Sequence, residues 1–244
     1  MPILNIEVAD IFLRSTIGNE RSTICSGSCY LRCMTRAASF AGIILAAGDS
    51  SRMGRDKALL PWPPSIAGQL PSNETFLSAA IRSLSFATEF VVVVAGKNAD
   101  ALAPVVYAQG ASLLVNPDAA RGQFSSLQVG LHDVLNRGRD AAMVTLVDRP
   151  PVGAATLQAL HDAFESSEQN VWLVIPEFSG KHGHPYLLGR EMMEAFLRVP
   201  ATSIAREVEH EHREHIQYVP VDDPLVVLNI NTPEEYAGLL ARSS

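Results

Sequence analysis

The sequence of 244 residues is poor in cysteine, in net positive charge and in long apolar runs. Its three cysteines, Cys25, Cys29 and Cys33, are odd in number, all precede residue 34 and match no standard zinc or iron–sulfur spacing. A reducing cytoplasm is the simpler expectation. Disulfide staples are not needed either, because a chain of this size buries roughly 70% of the surface its unfolded form exposes. Lys and Arg number 19 against 26 Asp and Glu, a formal charge of −7. That balance argues against a general nucleic-acid binder, whose affinity rests on phosphate neutralisation by a basic face. A small anionic substrate stays compatible, since a few placed cations and backbone N–H groups suffice for it. No window approaches the ~18–20 apolar residues of a membrane helix. Asp10, Arg14, Glu20 and Arg21 fall where a signal peptide would need its apolar stretch, so secretion is not expected.

What the chain does have, from residue 41 onward, is alternation. Short apolar runs at 42–45, 90–95, 112–115, 141–147, 171–175, 216–219 and 226–230 read as strands, several polar only at their ends. Between them, helical patterns fall near 75–86, 126–136, 154–166, 191–199 and 201–212; Leu157, Leu160 and Phe164 give one apolar face. Strands alternating with helices predict a single α/β domain with a mostly parallel sheet, whose ligands sit beyond the carboxyl ends of the strands. Residues 1–40 break the pattern. They read as an extension, either disordered or produced by a start assigned upstream of Met34, with an added packed helix as the alternative. Pro61, Pro63, Pro64 and Pro71 mark the stretch after residue 60 as a loop.

The residues that follow the strands carry the chemistry. Leu45-Ala46-Ala47-Gly48 leads straight out of the first strand into Asp49-Ser50-Ser51-Arg52-Met53-Gly54-Arg55-Asp56-Lys57. A glycine there lets the backbone turn and present N–H groups to an oxyanion, and Arg52 and Lys57 add two cations. The spacing is neither Walker A nor Gly-x-Gly-x-x-Gly, so the alternatives are a phosphate loop and a solvated basic loop. Asp148 ends the apolar run 141–147 and is placed either to hold Mg²⁺ or to cap the next helix. Gly122, Ser125 and Ser126 precede a helix and offer N–H groups and hydroxyls to a polar ligand, although helix capping explains the serines equally well. Thr232-Pro233-Glu234-Glu235 is a helix start. His210, His212 and His215 look metal-rich but satisfy no zinc motif, and with Arg206, Glu207 and Glu209 they read as a charged helix face.

Leu-Ala-Ala-Gly-x-Ser-x-Arg-Met-Gly-x-x-Lys at 45–57 resembles the signature of nucleotidyltransferases that activate small phosphorylated compounds. More narrowly, it resembles the molybdenum cofactor nucleotidyltransferases and, within them, the cytidylyltransferase branch. Four further motifs carry the resemblance across residues 41–240: Asn116…Gly122-x-x-x-Ser126-x-x-x-Gly130-Leu131, Asp148-Arg149-Pro150, Gly183-His184-Pro185 and Asn229-Ile230-Asn231-Thr232-Pro233. The resemblance implies a Rossmann-like three-layer sandwich of the nucleotide-diphospho-sugar transferase type. It implies that Leu45, Ala46, Ala47 and Gly48 wrap the triphosphate, that Lys57 contacts it, and that Arg52 is a second phosphate-binding cation. Asp148 takes the place of the magnesium ligand, with Asn229 and Asn231 where relatives often carry aspartate as a second metal contact. Asn116, Gly122 and Ser126 fall on the base side, and Gly183 and His184 near the acceptor.

The implied reaction moves CMP from CTP to the terminal phosphate of molybdopterin, molybdenum-loaded, with Mg²⁺ as cofactor and pyrophosphate as product. Hand-off of that product to a molybdoenzyme is the protein partner such a role implies. Rival readings are a guanylyltransferase of the same cofactor, a sugar- or alcohol-phosphate nucleotidyltransferase and, from another class, a non-catalytic cofactor carrier. Guanylyl relatives usually carry Leu-Ala-Gly-Gly against Ala47-Gly48 here, and Arg52, Lys57 and Asp148 together argue against silence.

Overall fold

The computed structural model describes residues 38–48, 53–54, 56–64, 72–167 and 170–239. The expected extension and its cysteines lie outside these residues, as do residues 49–52, which include Arg52.

The first strand, β1 (Phe40–Ala46), is buried at all seven positions, and β2 (Phe90–Ala95) is nearly as apolar. Such runs fit only where both faces of a sheet are covered. β1 lies parallel between β2 and β4 (Ala141–Leu146), with Ile43 facing Val92 on one side and Val144 on the other. β3 (Ser112–Val115) adds in parallel beyond β2. On the other flank β7 (Tyr186–Gly189) pairs antiparallel with both β4 and β5 (Leu173–Phe178), and β8 (Ile216–Pro220) closes the edge parallel to β5. The eight-stranded sheet thus runs β3-β2-β1-β4-β7-β5, with β8 and the short β6 (Lys181–His182) also paired to β5.

Helices cover both faces, which makes the expected three-layer sandwich. On one face α1 (Phe76–Ser85), α2 (Ala99–Ala108) and α4 (Ala154–Ser166) bring Leu77, Ile81, Leu102, Val106 and Leu160 onto Ile44, Val93 and Met143. On the other, α3 (Gln123–Asn136), α5 (Arg190–Arg198) and α6 (Ala205–Glu211) bring Phe124, Leu131, Met192, Phe196 and Val208 onto Ile43, Val94 and Val144. A small third cluster of Met53, Leu60, Phe76, Ile230 and Leu239 joins α7 (Pro233–Gly238) to the start of α1. Among the described residues no helix is long and apolar enough to cross a membrane.

The strand expected over 226–230 is not formed. Asp223 accepts from Leu225 N and starts a 3-10 turn, Pro224–Val227, after which the chain runs irregularly to α7. Its hydrogen bonds go elsewhere: Val226 O accepts from His184 N and Ile230 N donates to Asp148 O, both at 2.9 Å. The helix expected over 201–212 begins only at Ala205, after a turn closed by Ser203 N to Pro200 O. The histidine-rich stretch that follows is a packed feature as much as a charged face, because His215 stacks on Trp172 with ring centroids 3.8 Å apart. Among the described residues no group of three or more His, Cys, Asp or Glu is placed to hold a metal.

Candidate active site

Because β1, β2 and β4 are parallel, their carboxyl ends open on one edge of the sheet. There the segments that follow them enclose a cleft of about 310 Å³. It is lined by Leu45, Ala47 and Gly48 after β1, Lys97 after β2, Gly122 and Ser126 around the start of α3, and Val147 and Asp148 after β4, with Lys57 alongside. Seven of the residues singled out in the sequence therefore meet in one place: Leu45, Ala47, Gly48, Lys57, Gly122, Ser126 and Asp148. Lys97 completes the basic wall and was missed. Its position, directly after an apolar strand, was the signal that would have found it.

Lys57 is held by a scaffold that the motif alone does not display. Asp56 caps a 3-10 turn, Lys57–Leu59, by accepting from Ala58 N at 3.0 Å. Asn98 Nδ2 donates both to Asp56 Oδ2, at 2.6 Å, and to Ala46 O, at 2.9 Å. The end of β1, the start of α2 and the lysine turn are thereby tied together. Ala46 serves through that carbonyl, its own side chain being buried. Lys57 Nζ then donates to Asn231 Oδ1 at 2.9 Å and lies 3.6 Å from Asp148 Oδ2.

The Asp148 turn carries polar groups left open. Asp148 Oδ1 and Asn229 Oδ1 are both buried without a hydrogen-bond partner, and the Ile230 N to Asp148 O bond brings the two segments side by side. Two acceptor oxygens with no donor are what a bound cation would satisfy. Asn231 differs, since its oxygen already receives the lysine. Arg149 donates from Nη1 to Leu228 O at 3.2 Å and so braces the same segment. Burial pulls its guanidinium below the ordinary value, opposed by the Asp148 carboxylate.

Asn116, which the resemblance places with Gly122 and Ser126, is buried and fully employed. Its Nδ2 donates to Ser125 Oγ at 2.8 Å and Ser126 Oγ at 2.9 Å, and its oxygen accepts from Asp118 N. It fixes the first turn of α3 and leaves Ser126 at the cleft. Gly122 has φ +104°, a conformation that side chains with a Cβ rarely adopt, and this lets the chain enter α3 at the cleft wall.

Gly183 and His184 sit beside the Asp148 segment. A Cβ on Gly183 would collide with Val226 O, so only glycine allows the 3-10 turn to pack there. The His184 ring lies 5.0 Å from that of Tyr186, and its Nδ1 is buried without a partner. Burial first, and the Arg149 guanidinium second, pull its pKa down from 6.5 to about 3, so the imidazole is neutral at neutral pH.

Comparison with known proteins agrees with this geometry. The sequence model of the MobA-like NTP transferase domain matches residues 42–227. A protein of Rhodopirellula baltica described as a probable molybdenum cofactor guanylyltransferase is 28% identical, over 80% of this chain and 88% of its own. The molybdenum cofactor cytidylyltransferase of Escherichia coli is 24% identical, over 80% of this chain and 92% of its own. The crystal structure of Rv0371c from Mycobacterium tuberculosis superposes with a TM-score of 0.69 at 26% identity, covering 85% of this chain and all of that one. A cleft with two lysines and an aspartate lies at the carboxyl ends of the parallel strands, and the family match spans three quarters of the length: the chain belongs to the MobA-like NTP transferase family.

Proposed function

We propose that this chain transfers CMP from CTP to the terminal phosphate of molybdenum-loaded molybdopterin, releasing pyrophosphate. The observation that carries this reading is one cleft that brings cations and an open carboxylate oxygen together. Lys57 and Lys97 line it with Asp148, Lys57 lies 3.6 Å from Asp148 Oδ2, and Asp148 Oδ1, like Asn229 Oδ1 on the adjoining segment, is buried without a hydrogen-bond partner. A phosphate oxygen of the acceptor attacks the α-phosphorus of the nucleotide, and the bond to the pyrophosphate oxygen breaks. Chemistry of this kind needs positioning and charge neutralisation more than a protein base. Lys57 and Lys97 neutralise charge on the departing pyrophosphate, with Arg52 of the same loop as a further cation by resemblance. Asp148 and Asn229 fit a hard divalent cation, Mg²⁺ in this reading, which supplies charge neutralisation on the phosphate oxygens when bound. Rv0371c is also known as a manganese complex. Asn231 keeps Lys57 in place, and Gly122 and Ser126 face the base.

Ala46-Ala47-Gly48 and Gly183-His184-Pro185 favour cytidine. A guanylyl transfer is the second reading, favoured by the Rhodopirellula relative, which is 28% identical to this chain against 24% for the cytidylyl one. Hand-off of the product to a molybdoenzyme is the protein contact either reading implies. The test is pyrophosphate release with Mg²⁺ and molybdenum-loaded molybdopterin, comparing CTP, GTP, ATP and UTP. Release with CTP alone is expected. Release with GTP moves the assignment to the second reading, and silence with all four overturns both.

A further inference from the structure

Asn98 stands at the start of α2 and does not cap it. Asparagine favours that position because its side-chain oxygen can accept from a backbone N–H in the first turn. Here the side chain makes no such bond, and the backbone, at φ −86° and ψ 6°, lacks the extended conformation of a capping residue. The helix holds Asn98 through its carbonyl instead, which accepts from Ala101 N and Leu102 N, each at 3.1 Å, and Leu102 is fully buried. The side chain is left to bind three other segments, and both of its polar atoms take part. Oδ1 accepts from Gly96 N at 3.1 Å, while Nδ2 donates to Ala46 O and to Asp56 Oδ2.

We infer that Asn98 is the positioning residue of both cleft lysines, acting on Lys57 through Asp56 and on Lys97 through Gly96; this role rests on the nucleotide transfer assigned under Proposed function, in which the two lysines meet the departing pyrophosphate. Asp56 directly precedes Lys57. With Ala58 N bound to its Oδ1 and Asn98 to its Oδ2, its carboxylate clamps the lysine turn to the start of α2. Gly96 directly precedes Lys97 and packs so closely on the turn after β1 that a Cβ would come 3.0 Å from Ala47 O. The bond from Gly96 N to Asn98 holds it there. The third bond, to Ala46 O, refers both lysines to the end of β1, whose next residues, Ala47 and Gly48, line the same cleft. A cation stabilises charge that develops in a reaction only if it is already in place. An asparagine that capped α2 would serve the helix alone. This one leaves the cap unmade and fixes the residue before each lysine.

The test measures the affinity of the full chain for inorganic pyrophosphate in the presence of Mg²⁺, by calorimetry. Asn98→Ala removes the three bonds and takes no side-chain cap from α2. It is expected to bind pyrophosphate about tenfold more weakly than wild type, in keeping with the cost of small misplacements in a preorganised site. In a Lys57→Ala/Lys97→Ala background the same substitution is expected to change the affinity by less than about twofold, since nothing is left for it to position. A melting temperature confirms each fold. Asn98→Ser, whose side chain is too short to span Gly96, Ala46 and Asp56, carries the test if Asn98→Ala does not fold. Wild type that binds no pyrophosphate, a folded Asn98 variant that binds it as wild type does, or an equal loss in both backgrounds overturns this role. Turnover with molybdopterin separates the result from the reading beneath it. Turnover by wild type together with unaltered pyrophosphate affinity in the variants sinks the role of Asn98 alone. The expected losses in a chain that turns over no nucleotide sink the reaction alone.

Discussion

Lys57 sits where three unrelated stretches of chain converge, and its neighbours define what its loss would do. Its ammonium is mostly buried between Asn231 and Asp148, so Lys57→Ala removes charge from the phosphate side and leaves the Asp148 carboxylate nearer the substrate phosphates. Turnover is expected to fall by roughly 10²–10³-fold, the usual effect of deleting one preorganised charge donor, with the circular dichroism spectrum unchanged. Lys57→Arg should not restore it, because a planar guanidinium cannot occupy the place of a compact ammonium. Near-normal turnover by Lys57→Ala would remove the residue from the mechanism. His184 makes a separate prediction about pH. In the unfolded chain it takes up a proton near 6.5, and in the fold only near 3, so in that interval the unfolded state binds the extra proton. The stability it contributes is fully present above pH 6.5 and is lost as the pH falls toward 3. His184→Gln should therefore show a shallower fall in melting temperature on acidification than wild type; superimposable profiles would mean that the ring is solvated. At this scale the sequence marked Lys57 and Asp148, which the structure brings into one cleft, but passed over Lys97, although it too follows an apolar strand. Asp56 and Asn98 were not legible, because their work is to bond Ala46 and Ala58, partners brought near only by the fold.

At the scale of elements, what was readable depended on whether local pattern or tertiary contact decided the conformation. β1, β2 and β4 were plain because burial on both faces leaves an unbroken apolar run. Thr75 marked the start of α1, and its hydroxyl does accept from Ser78 N. α2 was missed because Pro104 lies inside it, where Leu102 and Val106, one turn apart and fully buried, outweigh the local penalty. The apolar run 226–230 read as a strand since periodicity cannot tell a ladder from an irregular segment buried for other reasons. β6 and β7 were hidden by the Gly183-His184-Pro185 interruption. They are two parts of one return arm along β5, and between them His184 N leaves the ladder to bond Val226. This crossing makes Gly183 an element-level residue. Gly183→Ala forces a Cβ against Val226 O, and the 3-10 turn must move or the arm must bend. The expected cost is about 1–3 kcal/mol, as for other overpacked sites. Because Asn229 lies three residues beyond Val226, Mg²⁺ affinity should weaken with it. Denaturant melts and a Mg²⁺ titration in the presence of CTP check both; an unchanged metal affinity in a destabilised variant would uncouple the turn from the cation site.

Across the whole molecule, the candidate site is made of segments that share little besides the sheet edge. The Ala47-Gly48 turn follows the strand β1, the carboxylate follows β4, and the asparagines lie on a stretch after β8 that returns over the Asp148 turn. Two parallel strands from the first half of the domain and the segment that follows β8 are thus brought together at one end, where Asp148 Oδ1 and Asn229 Oδ1 lack partners. A ligand that contacts all of them binds only the folded state and must stabilise it. At a nucleotide concentration about a hundred times its dissociation constant the gain is about 2.7 kcal/mol, worth roughly 5–10 °C in melting temperature for a domain of this size. The metal dependence of that shift is the informative part. If Asp148 Oδ1 and Asn229 Oδ1 share a divalent cation with the phosphates, CTP should raise the melting temperature fully with Mg²⁺ and only weakly with chelator. Asp148→Asn should then lose most of the Mg²⁺-dependent increment while keeping the part owed to Lys57, Lys97 and the loop backbone. An increment of equal size with and without metal, in wild type and variant alike, would place nucleotide binding on the basic wall alone and leave the two open oxygens without a role in catalysis.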